Sequence, residues 1–166
     1  MENVSNLLIV LTGKTASGKD AVMAGLLNRL PNLKRVVTTT SRAIRPGETN
    51  GVDYTFISEE DFRHKIENGD FIEYVEYGGN LYGTEKSQLN TEKSQDLIWR
   101  IDPSRAGKVR QLITGFRILV FYLNVDDTVV LERLHKRGLS GQEIDKRMQE
   151  DAKFWQQFKD NYTYVV

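Results

Sequence analysis

The chain has 166 residues, 39% of them hydrophobic, which is enough for one domain with its own core and no covalent staples. Lysine plus arginine equal aspartate plus glutamate at 23 each, so no overall field draws a nucleic-acid duplex or an anionic membrane. The absence of cysteine excludes disulfides, thiolate zinc sites and cysteine nucleophiles, and the two histidines, His64 and His135, read as surface residues on helices.

Acidic Glu2 and the short apolar run after Asn6 fit neither a signal peptide nor a membrane span, so a soluble, cytoplasmic protein is expected. That run, Leu7-Leu8-Ile9-Val10-Leu11, reads as a buried strand too short for a helix. Thr12 and then Gly13-Lys14-Thr15-Ala16-Ser17-Gly18-Lys19 follow, a G-x-x-x-x-G-K loop between a strand and a helix. In such a loop the backbone N–H groups and the helix N-terminus face a polyphosphate, while the lysine reaches its terminal phosphates. A nucleoside triphosphate is therefore expected on Gly13, Ala16, Ser17, Gly18, Lys19, Asp20 and Ala21. Asp20 stands where the usual pattern has a Ser or Thr holding Mg²⁺.

A helix is predicted over 20–30, stopped by Pro31 and Asn32, and a strand over Val36-Val37-Thr38-Thr39-Thr40. A polar loop over 41–53 and a short strand over 54–57 come next. Ser58, with Asp61 three residues on, looks like a helix N-cap, and Gly69 ends that helix. A strand over 71–77, a turn at Gly78-Gly79-Asn80, a weak helix over 86–93 and a strand over 97–101 complete the middle of the chain.

Pro103 favours a helix start and Gly115 its end, and 116–123 is the second strongly apolar strand. Helices are predicted over 126–136 and again after the Gly138 to Gly141 segment, the second with Ile144, Met148, Ala152, Trp155 and Phe158 on one packed face. Tyr162 to Val166 reads as a last strand. Alternating strands and helices imply an α/β fold with a mostly parallel sheet covered on both faces. The stretch 34–90 breaks the alternation and reads as an insertion of the kind that holds a second substrate.

The segment from Thr38 through Arg42, Arg45, Pro46-Gly47-Glu48, Asn50-Gly51 and Asp53-Tyr54 resembles the monophosphate site of guanylate kinases. Phe71-Ile72-Glu73, Tyr82-Gly83-Thr84, Ile101-Asp102 and the arginines at 133, 137 and 147 continue the match in order, so with the loop it covers nearly the whole chain. The resemblance implies a single P-loop NTPase-like domain of three layers. Its core would be 1–33 and 91–166, with a monophosphate-binding insertion at 34–90 and a helical lid at 133–147. It further implies transfer of the γ-phosphoryl of ATP to GMP with Mg²⁺, with no nucleic-acid or membrane partner.

By that resemblance Thr38 and Thr84 serve guanine O6, Glu73 and Asp102 take the N1 and N2 protons, and Arg42, Arg45, Tyr54 and Tyr82 hold the GMP phosphate. Lys19, Arg133, Arg137 and Arg147 meet the charge in flight. Plainer readings exist for each: solvated loop charges at Arg42 and Arg45, packing at Tyr54 and Tyr82, a solvent-facing Glu73, an exposed pair of Arg147 with Glu143, and an ordinary N-cap at Asp102.

Two departures accompany the match. Asp20 puts a carboxylate near phosphates, where each unit of like charge at 4 Å costs about 4 kcal/mol at an effective dielectric near 20, so strong dependence on Mg²⁺ is expected. Arg100 stands where the family carries an acid. Either Asp20 replaces that acid as the Mg²⁺ ligand, or Asp20 and Arg100 form an ion pair that leaves no magnesium site. The family also continues past a strand like 162–166 into an asparagine-containing turn and a helix, which the sequence does not contain. A non-catalytic module that binds proteins, and a kinase for another phosphorylated small molecule, are the alternatives. Retention of Lys19 and the three arginines speaks against the first, and the guanine-directed groups against the second.

Overall fold

Leu7–Gly13 forms strand β1 of a computed structural model that describes residues 6–77, 79–91 and 95–166. The chain divides into two units, Met1–Lys34 with Asp96–Val166, and Arg35–Gln95.

In the first unit β1 is central. The five-stranded order is β2 (Leu33–Val36), β7 (Asp96–Arg100), β1, β8 (Arg117–Leu123) and β9 (Tyr164–Val165). β1 runs parallel to β7 and β8, and β8 parallel to β9. Alternation along β1 supplies both faces with apolar surface. Leu11 packs with Ile98 and with Met23 of helix α1 (Lys19–Arg29). The opposite face carries Val10, Trp99 and Tyr122, and the Tyr122 ring lies 4.9 Å from Trp155 of helix α6 (Gly141–Phe158). The α/β class with a parallel sheet covered on both faces is therefore present.

Several predicted elements differ. The strand expected over 36–40 is split: Val36 ends β2, and Thr39–Thr40 form β3 in another sheet, because Val37 and Thr38 carry the chain from one sheet to the other. The helix expected from Pro103 to Gly115 is two short ones, α3 (Pro103–Ala106) and α4 (Val109–Leu112), interrupted at Gly107, where a Cβ would lie 2.4 Å from the Phe158 ring. On α6, Ala152 is exposed and Asp151 is half-buried, so the inward stripe runs 144, 148, 151, 155, 158.

The second unit holds a four-stranded sheet of order β4 (Thr55–Phe56), β3, β6 (Asn80–Glu85) and β5 (Phe71–Tyr77). Helix α2 (Glu59–Glu67) is capped by Ser58, whose Oγ accepts the Asp61 N–H at 3.0 Å. Its Phe62 stacks on Phe71 at 4.4 Å beside Leu81. The six-residue β6 was not anticipated, because Gly83 breaks its apolar alternation. The weak helix expected over 86–93 is a 3-10 turn at Lys86–Leu89. Residues 92 and 93 of that expectation, and 78 of the expected turn, lie outside the described residues. No described helix is long and apolar enough to cross a membrane.

Candidate active site

The loop after β1 is pinned at each of its four variable positions. Lys14 donates to Asp127 at 2.7 Å and to the Val125 carbonyl at 3.1 Å, at the start of helix α5 (Asp127–Lys136). The Thr15 N–H donates to Asp151 Oδ2 at 2.7 Å. Ala16 has φ 55°, a left-handed conformation that costs a non-glycine residue energy. It is held there by packing against Val130, Leu134 and Ile144, and its carbonyl accepts Arg133 Nη1 at 2.8 Å. Ser17 is buried and donates its N–H to the Lys14 carbonyl at 3.2 Å. Gly13 is required by space and conformation: its φ is 141° and a Cβ would lie 2.4 Å from the Leu123 carbonyl oxygen.

Inside this frame the Lys19 ammonium donates to the carbonyls of Gly13 at 3.0 Å and Lys14 at 2.8 Å, and to Ser17 Oγ at 3.2 Å. Burial pushes its pKa down to about 8, against the opposing pull of Asp151 and Asp20. All three hydrogen-bond partners are uncharged, so the loop keeps a net positive charge for an anion. Arg137 contributes to the same field, since its charge also depresses Lys19. Arg147 is half-buried on α6. Its suggested partner Glu143 closes a capping box with Ser140, whose N–H reaches Glu143 Oε2 at 2.8 Å, and the Arg147 charge adds only the smaller pull on that carboxylate. Ala21 is exposed in the first turn of α1, and Gly18 caps that helix at φ 90°.

Asp20 is paired with Arg100 through Oδ1 and Nη1, the second of the two arrangements anticipated from the sequence. Among the described residues no three acidic, histidine or cysteine side chains gather as a metal site. Asp102 is an N-cap: its Oδ1 accepts the N–H groups of Ser104 at 3.0 Å and Arg105 at 3.1 Å and the Ser104 hydroxyl at 2.5 Å, while Oδ2 takes Arg105 Nε. Burial pushes its carboxyl up, but Arg105 and Ser104 outweigh that and hold it below the ordinary value.

In the second unit Arg42 is buried and forms a fork with Glu48, Nη2 to Oε1 at 2.7 Å and Nη1 to Oε2 at 3.0 Å. Its guanidinium lies 5.4 Å from the rings of Tyr54 and Phe56. Hydrogen bonding to Glu48, and secondarily to Tyr82, strengthens its charged form, and Tyr82 sits edge-on to Tyr54 at 6.2 Å. Arg45 keeps its side chain exposed while its N–H joins Glu48 Oε2 at 2.8 Å. Thr84, fully buried, donates its hydroxyl to Glu73 Oε1 at 2.8 Å. Thr38 is buried, and its carbonyl accepts the Thr55 N–H at 2.9 Å. The unit thus brings together Glu48, Tyr54 and Tyr82 around Arg42, and separately Glu73 and Thr84. Sequence reasoning gave no role to Glu48, Asp127 or Asp151. Only Asp151 left a legible signal, an aspartate at a core-spaced position of α6.

The chain matches the family model described as guanylate kinase over residues 5–166. It is 36% identical over 162 residues to the guanylate kinase of Symbiobacterium thermophilum, covering 96% of this chain and 76% of that protein. To the guanylate kinase of Desulfitobacterium hafniense it is 36% identical over 170 residues, covering 100% and 84%. The crystal structure of guanylate kinase from Anaplasma phagocytophilum superposes with a TM-score of 0.75 at 24% identity, covering 100% of this chain and 78% of that one.

Proposed function

The chain belongs to the guanylate kinase family, and on that premise we propose that Lys19, Arg133, Arg137 and Arg147 carry the charge that moves when it phosphorylates GMP. The activity is the family's: a GMP phosphate oxygen bonds to the γ-phosphorus of ATP, the bond to the bridging oxygen breaks, and ADP and GDP leave. Such a transfer needs little covalent help from the protein. Positioning and neutralisation supply most of the rate.

The observation that carries the assignment is the pinned loop, with Lys19 folded onto three uncharged oxygens and Arg133 on the Ala16 carbonyl. A triphosphate placed there would take up the Lys19 ammonium and the backbone N–H groups from Gly18 to Ala21. Arg133, Arg137 and Arg147 would then meet the charge of the transferring group.

GMP is assigned to the second unit's polar residues. Arg42, Arg45, Tyr54 and Tyr82 would hold its phosphate, because a guanidinium fork matches a phosphate as it matches Glu48. Glu73 and Thr84 would read the guanine edge with Thr38. The Asp102 carboxylate would offer guanine the remaining lone pair of Oδ2, since Oδ1 is saturated by its cap.

Mg²⁺ with ATP is typical of the family. The donor set fits a metal carried in by the nucleotide, since Mg²⁺ commonly takes one carboxylate with phosphate oxygens and water. Asp20 is the carboxylate available, provided it shares or exchanges Arg100. Bound Mg²⁺ would neutralise the β- and γ-phosphate oxygens.

A coupled assay of ADP formation over a panel of nucleoside monophosphates tests the substrate. GMP should exceed AMP by roughly 10⁴ in kcat/KM, because adenine lacks the donors that the half-buried Glu73 carboxylate demands. Equal turnover of AMP, or none of GMP, overturns the reading. Titrating Mg²⁺ with Asp20→Ser tests the metal assignment: turnover should fall and need more Mg²⁺, and a variant faster than the parent removes Asp20 from that role.

A further inference from the structure

Helix α6 meets the phosphate loop at Ala16 and at Thr15. Ile144 packs in one buried cluster with Ala16, with Met148 against it. Arg147 follows, and one turn later Asp151 accepts the Thr15 N–H at 2.7 Å. The spacing of 144, 148, 151 and 155 is what one face of a helix requires. An aspartate in that stripe needs a reason, because burial opposes its charge. Nothing on α6 explains it, whereas the loop amide does.

We propose that Asp151 is a positioning residue for the ATP site, fixing the loop through the Thr15 amide from the same helix that carries Arg147. The inference rests on the reading of loop 13–19 as the triphosphate cradle. The neighbouring positions each have another anchor, Lys14 in Asp127 and Val125, Ala16 in Arg133 and the core, Ser17 in Lys14. Asp151 supplies the anchor at Thr15, so without it the chain between Lys14 and Ala16 loses its hold, and the Lys14 carbonyl that orients Lys19 loosens with it. Burial raises the Asp151 pKa above its ordinary value, and the Thr15 N–H, followed by the charges of Lys19 and Lys14, offsets part of that rise.

Two substitutions separate the bond from the charge. Asp151→Ala removes both, whereas Asp151→Asn keeps an acceptor oxygen for Thr15 and removes the charge. Calorimetry with Mg·ATP alone should give Asp151→Ala a Kd about tenfold weaker, with Asp151→Asn within threefold of the parent or tighter. In steady state at saturating ATP, the KM for GMP should stay within twofold in both. ATP binding unchanged in Asp151→Ala overturns the proposal, as does Asp151→Asn falling as far as Asp151→Ala, or GMP and ATP constants rising together. Calorimetry needs no turnover, so a parent chain silent toward GMP would sink the proposed substrate and still leave Asp151 decided. Should Asp151→Ala fail to fold, Asp151→Asn decides alone: weakening tenfold overturns the inference, and parent-like binding supports it.

Discussion

The unit of Met1–Lys34 and Asp96–Val166 and the unit of Arg35–Gln95 each draw a cation out of bulk solvent, Lys19 half-buried and Arg42 buried, and they hold it by opposite means. Lys19 is held by two carbonyls and a hydroxyl, so its charge is uncancelled and desolvation depresses its pKa. Arg42 is held by the Glu48 carboxylate in a two-bond fork, and its charged form is reinforced. The first arrangement keeps a strong local field at some cost in stability. The second contributes order and stability while lowering the field. A highly charged triphosphate suits the first, and a monophosphate that must be oriented suits the second.

The largest test of this contrast is Lys19→Met. By the magnitude seen when one donor to a developing charge is lost, kcat should fall about 10²–10³-fold. Thermal unfolding should move little or upward, since a desolvated ammonium has gone. A clear fall in melting temperature would show Lys19 to be structural.

Glu48→Gln is expected to behave oppositely. Losing a charge-assisted fork should cost about 1.5–3 kcal/mol in a urea titration. The KM for GMP should fall, because its phosphate no longer competes with a carboxylate for Arg42. A raised KM would mean that Glu48 orients Arg42 more than it screens it.

Asp102 is smaller and sharper. Asp102→Ala should cost about 1 kcal/mol as a lost cap, and Asp102→Asn less, because asparagine caps equally well. The folded-state pKa of Asp102 lies below the ordinary carboxyl value of 3.8, so its contribution is full above that value and is lost as pH falls through the lowered one. The stability gap between parent and Asp102→Ala should therefore close only below pH 3.8. If Asp102→Asn folds normally and loses preference for GMP over AMP, Oδ2 reads guanine; an unchanged preference leaves Asp102 a cap.

The smallest effect is expected for Arg100→Gln. Its partner Asp20 is 72% exposed, so the pair should contribute less than 1 kcal/mol and vanish in high salt.

Elements with strong local signals were legible in the sequence. β5 was predicted over 71–77 and observed as Phe71–Tyr77, and the Ser58 cap and the loop before α1 followed from side-chain chemistry a few residues long. β6 and the division of 36–40 between two sheets were not legible, because strand pairing is decided by partners far along the chain. The same limit applies to the site. The sequence pointed to Lys19 and Arg42, but not to Glu48 as the anion that Arg42 holds, nor to Asp127 and Asp151 as the anchors of the loop.

Taken alone, the residues determined the α/β class, the phosphate loop and the family, because hydrophobic period, glycine placement and ordered motifs are properties of neighbours in the chain. Folding alone decided how each charge is partnered: Asp20 with Arg100 across 80 positions, Thr15 with Asp151 across 136. A salt bridge or capped amide depends on distances of a few ångströms between remote segments, and only a packed core brings those segments together.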